Sequence, residues 1–94
     1  MRKYETMFIL NSDLEEEATE SLVEKLTGVI ADNDGELVDV DEWGTKELAY
    51  EINDQKAGYY TVVNFEGTPA TVNELKRNYK INDNVMRYIV LRDE

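Results

Sequence analysis

The chain has no cysteine and no histidine among its 94 residues. Without thiols no disulfide framework can form, and without thiolate or imidazole there is no soft-donor metal site. Serine- and cysteine-based triads are excluded as well, because the imidazole base is missing. Proline occurs once and glycine five times, with no repeat, low-complexity stretch or linker. No apolar run approaches the roughly 20 residues of a membrane span, and the first residues lack the long apolar stretch of a signal peptide. Positive charge is scarce too: 10 Lys and Arg against 21 Asp and Glu give a formal net charge of −11. As a whole-chain number, that balance argues against a nucleic-acid partner. A hydrophobic content of 41% is nevertheless that of a globular chain. The length predicts one domain over 1–94, with a modest core that needs no staples, in a reducing, soluble compartment.

The distribution of charge along the chain alters what the net value implies. Residues 13–51 hold 14 acidic side chains and only 2 basic ones, Lys25 and Lys46. The remaining residues hold 7 acidic and 8 basic, a net of +1. Within 76–92, Lys76, Arg77, Lys80, Arg87 and Arg92 face only Asp83. Arg2 and Lys3 add to whatever surface lies beside that stretch. If folding brings the chain ends together, an acidic body carries one locally basic side.

Along the chain, Lys3 to Leu10 forms a strand signal ending in Met-Phe-Ile-Leu. Asn11-Ser12-Asp13 breaks it, and Ser12 with Glu15 has capping-box spacing. Leu14, Ala18, Leu22, Leu26, Val29 and Ile30 recur at helical intervals up to a stop at Gly35. Glu36 to Ile52 alternates imperfectly, which predicts a long strand bulged or bent near Trp43-Gly44. Asn53 to Gly58 has turn composition, and Tyr59 to Phe65 is a second strong strand signal. Thr68-Pro69 predicts a cap and a helix start, with Val72, Leu75 and Tyr79 as its apolar stripe. Val85 to Leu91 closes the chain as a strand. The order β-α-β-β-α-β predicts an α+β ferredoxin-like sandwich, with an antiparallel sheet ordered 4-1-3-2 and both helices on one face. In that topology the first and last strands are neighbours, so Arg2-Lys3 meets Arg92.

Period-two alternation then assigns faces. Thr6, Phe8, Leu10, Val63, Phe65, Tyr88 and Val90 face the helices. The opposite face shows Lys3, Glu5, Met7, Ile9, Tyr60, Val62, Asn64, Arg87, Ile89 and Leu91. Met7, Ile9, Tyr60, Val62, Ile89 and Leu91 on one open surface mark a candidate protein-partner face, unless loops or self-association cover it.

Catalytic and metal motifs fail when tested. Asp32-Asn33-Asp34-Gly35-Glu36 invites a calcium reading, but an EF-hand loop counted from Asp32 needs glycine where Leu37 stands and glutamate where Trp43 stands. Nothing points to a carboxylate pair in a pocket. The loop after the first strand, Asn-Ser-Asp, lacks the basic or glycine-rich character of phosphate chemistry. No enzyme activity, cofactor, metal or small-molecule substrate is therefore expected. RNA-recognition domains share this topology and display aromatics on the third strand. Here Thr61 stands in place of an aromatic, and Tyr60 in place of a small residue.

Four segments carry a more specific resemblance: Met1 to Asn11, then Trp43-Gly44 followed by Leu48-Ala49-Tyr50-Glu51-Ile52, then Gly58-Tyr59-Tyr60, then Ile81-Asn82-Asp83-Asn84-Val85-Met86-Arg87-Tyr88. In this order and spacing they resemble the bacterial ribosomal protein six family of the small subunit, over essentially the whole chain. The resemblance implies a non-catalytic, cytoplasmic, ribosome-associated protein. It implies binding to the central domain of small-subunit ribosomal RNA together with ribosomal protein eighteen during platform assembly. Arg2, Lys3, Arg87 and Arg92 are then the candidate phosphate contacts, with Tyr4 and Tyr88 beside them and Lys46 and Lys56 in second rank. One departure weakens the hairpin as an RNA grip: where the family often has basic residues, this chain has Thr45-Lys46-Glu47. Two rival classes remain, a ligand-sensing domain of the same fold and an acidic protein-interaction domain. The first commonly has a glycine in the turn after strand one, which Asn11-Ser12-Asp13 lacks.

Overall fold

The computed structural model describes residues 1–52 and 55–92. Its elements run β1 (Arg2–Asn11), α1 (Glu16–Asp32), β2 (Glu36–Ile52), β3 (Gln55–Gly67), α2 (Pro69–Ile81) and β4 (Val85–Arg92). The strands form one sheet in the order β2-β3-β1-β4, antiparallel throughout. Read from the other edge, this is the expected 4-1-3-2 arrangement.

One face of the sheet is closed by the two helices. Phe8, Leu10, Val63 and Phe65 from the strands meet Leu22, Leu26, Ile30, Leu75 and Tyr79 from the helices, all within one core cluster. Tyr79 anchors α2 in that core: its ring lies 5.4 Å from Phe8 and 4.9 Å from Tyr88. Its hydroxyl lies 3.0 Å from the Thr6 hydroxyl, which itself donates to the Ile89 carbonyl at 2.8 Å. Thr6 has a single proton and gives it to Ile89, so Tyr79 is the donor to Thr6. Burial pushes the Tyr79 phenol well above its ordinary value.

The helix starts differ in kind. Thr68 caps α2 reciprocally with Thr71, and Pro69 occupies the first helical turn. The fully buried Thr71 hydroxyl also donates to the Asn33 carbonyl at 2.8 Å, tying the end of α1 to the start of α2. By contrast, the box expected from Ser12 and Glu15 does not form. Glu15 is the N-cap and makes no side-chain cap bond. Ser12 and Asp13 are engaged elsewhere: the Ser12 hydroxyl donates to Gln55 Oε1, and Gln55 Nε2 donates to Asp13 Oδ2. A tertiary partner on β3 has outcompeted the local cap. The buried stripe of α1 is Thr19, Leu22, Val23, Leu26, Thr27 and Ile30, and Ala18, assigned to the stripe from spacing, is exposed. At the other end the left-handed residue is Asp34, at φ 64°, while Gly35 donates its N–H to the Ile30 carbonyl.

The expected bulge in β2 is present. The pairing with β3 slips between Glu42 and Gly44, and Gly44 has φ 83°, which glycine adopts without a Cβ penalty. Of the expected turn over 53–58, residues 53 and 54 lie outside the described residues. Gln55 onward is strand, with Ala57 opposite Glu47 and Gly58 opposite Lys46. The hairpin of β2 and β3 is therefore a long arm, and its course decides what the open face of the sheet shows.

Candidate RNA and protein interface

The helix-free face is built from β1, β3 and β4, with the distal part of β2 folded toward it. Ile9 sits at the centre of this contact. It is only 4% exposed, and together with Leu48, Tyr50, Ile52, Tyr60 and Arg87 it lines a recess of about 110 Å³. Position 58 must be glycine-sized for the arm to close: a Cβ there would lie 2.3 Å from Ile9 Cγ2. Val62, paired with Met7 of β1 and Asp41 of β2, is 9% exposed. Ile9 and Val62 therefore leave the expected exposed partner set. The arm supplies the cover that simple alternation could not show. Ile89 and Leu91 remain open at 42% and 53%, with Met7 and Tyr60 half-buried beside them.

Two aromatic side chains from β2 join this face. The bulge turns Trp43 so that its ring stacks on Tyr60, with centroids 6.3 Å apart and planes within 9°. The Trp43 indole N–H donates to Asp41 at 2.9 Å, and the Lys46 ammonium lies 5.7 Å from the ring centroid. Tyr50 reaches across to β4: Arg87 Nη1 donates to its hydroxyl at 2.9 Å, and the guanidinium lies 5.5 Å from the ring centroid. Sequence reasoning placed Trp43 at a bend and both residues in family-like segments, without assigning either to this face. The signal that could have found them is the bulge itself, since one extra residue reverses the parity of everything beyond it.

The candidate phosphate contacts fall into two groups. Arg2 and Lys3 open β1, and Arg92 pairs with Tyr4 near the end of β4, so the chain ends do meet. Arg87 pairs with Ile9 at the far end of the same strand. Five residues separate it from Arg92, or about 16–17 Å. Lys46 and Lys56 are exposed on the arm, on Arg87's side of the molecule. Arg2, Lys3, Arg87 and Arg92 are all exposed. Of the two tyrosines expected beside them, Tyr4 is buried and Tyr88 half-buried. Tyr4 is 9% exposed with its ring stacked on Phe65 at 5.4 Å, and Tyr88 packs against Tyr79 beneath α2. Both lie on the helix side, where their rings supply core area.

Elsewhere the charges are arranged for surface rather than chemistry. Arg77 is ion-paired with Glu74 on α2, and each holds the other charged: the Glu74 carboxyl is lowered and the Arg77 guanidinium raised. The Tyr59 phenol is raised by burial and by its hydrogen bond to Glu42. Among the described residues no group of three or more acidic side chains could hold a metal ion, and no helix is long and apolar enough to cross a membrane.

A two-layer sandwich with one helix-covered face and one partly open, aromatic-studded face defines a class: a small ferredoxin-like scaffold that acts by presenting surface. The chain matches the model of the family described as ribosomal protein S6 over residues 3–92. It is 49% identical over 94 residues to the small ribosomal subunit protein bS6 of Moorella thermoacetica, covering 100% of this chain and 96% of that one. It is 50% identical over 94 residues to the protein of the same name from Clostridium novyi, covering 100% and 99%. The crystal structure of 30S ribosomal protein S6 from Thermotoga maritima superposes with a TM-score of 0.94 at 32% identity, covering 98% of this chain and 87% of that one. The chain belongs to the ribosomal protein S6 family, whose members are structural, non-enzymatic proteins of the small ribosomal subunit.

Proposed function

We propose that this protein is a cytoplasmic, ribosome-associated structural component that binds the central domain of small-subunit ribosomal RNA together with ribosomal protein eighteen during platform assembly. The observation that carries the reading is the chain-long likeness to small-subunit proteins at 49% and 50% identity. Physical support comes from the open face. Ile89, Leu91, Met7, Tyr60 and Trp43 form an apolar patch on a chain of net charge −11, which suits a basic protein partner. Arg2, Lys3, Arg87 and Arg92, with Lys46 and Lys56, are the cations that meet phosphate.

The mechanism is architectural. Each phosphate neutralised releases condensed counterions, and 3–5 such contacts give a log–log salt slope of only about 2–4.5. Binding by this chain alone is therefore weak, and the basic partner supplies much of the attraction. The test has two parts: co-sedimentation with small subunits, and titration of a central-domain RNA fragment with and without ribosomal protein eighteen. Co-sedimentation and a strong dependence on the partner are expected. Tight, salt-resistant binding by this chain alone would overturn the mechanism.

A further inference from the structure

We propose that Tyr50 is a positioning residue, holding the Arg87 guanidinium ready for one phosphodiester of the RNA and so coupling the closed arm to RNA capture. The inference rests on the RNA-binding reading above and adds a residue to it. Arg87 is exposed, and its partner is a phenol: Nη1 donates to Tyr50 at 2.9 Å, with the ring 5.5 Å from the guanidinium carbon. In a chain with 21 acidic and 10 basic side chains, a carboxylate would be the expected neighbour. A carboxylate would both fix and neutralise the guanidinium, whereas a phenol fixes its direction and leaves its charge intact.

The remaining geometry suits an anion. A guanidinium has five N–H donors in a rigid fork. One is given to Tyr50, and four remain to meet phosphate oxygens, with two in parallel. Ile9 and Leu48 line the same recess under the arm as Arg87 and Tyr50, so the pair sits where the arm closes on the sheet. Holding a long side chain in place before binding saves the entropy of immobilising it, about a two- to tenfold gain in affinity.

A purely structural staple would look the same in a static view, so the test separates the two roles. Tyr50→Phe removes the hydroxyl and keeps the ring. Because Tyr50 is 62% exposed, the variant folds, and its urea midpoint serves as the control. Affinity for the central-domain RNA fragment is measured at saturating ribosomal protein eighteen across a salt series. Tyr50→Phe should weaken binding about two- to tenfold with an unchanged salt slope. Arg87→Ala should lower the slope by about 0.7–0.9, and in that background Tyr50→Phe should have no further effect. Wild-type affinity for Tyr50→Phe, or an equal loss in the Arg87→Ala background, would overturn the positioning role while the RNA reading stands. No binding by the wild-type pair of proteins would overturn both.

Discussion

Gly58→Ala probes the arm most directly. An alanine Cβ at 58 would lie 2.3 Å from Ile9 Cγ2 and 3.7 Å from Leu48 Cδ2. Carbon atoms in good contact sit about 3.5–4.0 Å apart, so Ile9 would have to retreat by more than about 1 Å. Ile9 is 4% exposed, held between the sheet and the arm. Overpacking of this kind costs about 1–3 kcal/mol. Against it stands a gain of about 0.4–1 kcal/mol from the stiffer unfolded chain, leaving a net loss of up to about 2.5 kcal/mol. For a domain of this size that is a fall in Tm of up to roughly 10–20 °C. The second arm of the experiment removes the obstacle. Ile9→Ala alone should cost about 2–4 kcal/mol for lost burial and a cavity. In that background Gly58→Ala should be neutral or stabilising, because the atom it strikes is gone. Urea unfolding of the wild type, both single variants and the double variant gives the coupling directly. An equal cost for Gly58→Ala in both backgrounds would refute the steric argument. A cost below about 0.5 kcal/mol for Ile9→Ala would place that side chain in solvent.

Three further outcomes follow from particular contacts. Thr71→Val keeps the shape of a fully buried side chain but strips the Asn33 carbonyl and the Thr68 N–H of their partner, so it should cost about 2–3 kcal/mol in urea melts; a change under about 0.5 kcal/mol would mean the α1–α2 tie is redundant. Tyr79 is a phenol whose folded pKa lies above its unfolded value, so its contribution is intact below about pH 10 and is lost as pH rises beyond it. Tyrosinate absorbance should therefore show Tyr79 ionising only with alkaline unfolding, and Tyr79→Phe should raise the onset; uniform titration of all six tyrosines in the folded protein would contradict this. Ile89→Asp sits on the open face at 42% exposure and should weaken the heterodimer with ribosomal protein eighteen more than tenfold while leaving the circular dichroism folded; undiminished affinity would remove this face from the interface.

The order of elements was legible because period and punctuation agreed. Thr68-Pro69 announced α2, and the broken alternation at Trp43-Gly44 announced the bulge. What escaped depended on tertiary partners. Ser12 offered a cap with good local spacing, yet Gln55, 43 residues on, took its hydroxyl. Thr19 and Thr27 lie buried on α1 although a hydrophobic stripe passes over threonine; Thr27 satisfies its own hydroxyl on the Val23 carbonyl. Tyr4 and Tyr88 are a different case. The alternation that turns Thr6 and Phe8 inward also turns Tyr4 inward, and it had already assigned Tyr88 to the helix side. Their placement among RNA contacts came from proximity to basic residues in a family-like motif, whereas parity turns both rings toward the helices.

The arm also limits how this surface can work. By covering Ile9 it divides the helix-free face, leaving Trp43, Ile89, Leu91 and the half-buried Met7 and Tyr60 as the apolar remainder. A stable protein–protein interface buries roughly 800 Å² per partner, and only a little over half of that is apolar. Hydrophobic burial on this patch is then only one part of what holds a long-lived heterodimer together. Two other contributions are available. The 14 acidic side chains of residues 13–51 attract a basic partner at long range, and Arg87, on the same strand as Ile89 and Leu91, can meet RNA while the partner covers its neighbours. Each contribution is weak at physiological salt, and each gains when the others are in place. The heterodimer should therefore loosen as salt rises and tighten when the central-domain RNA is added; a heterodimer affinity indifferent to both would mean that the interface extends well beyond this face.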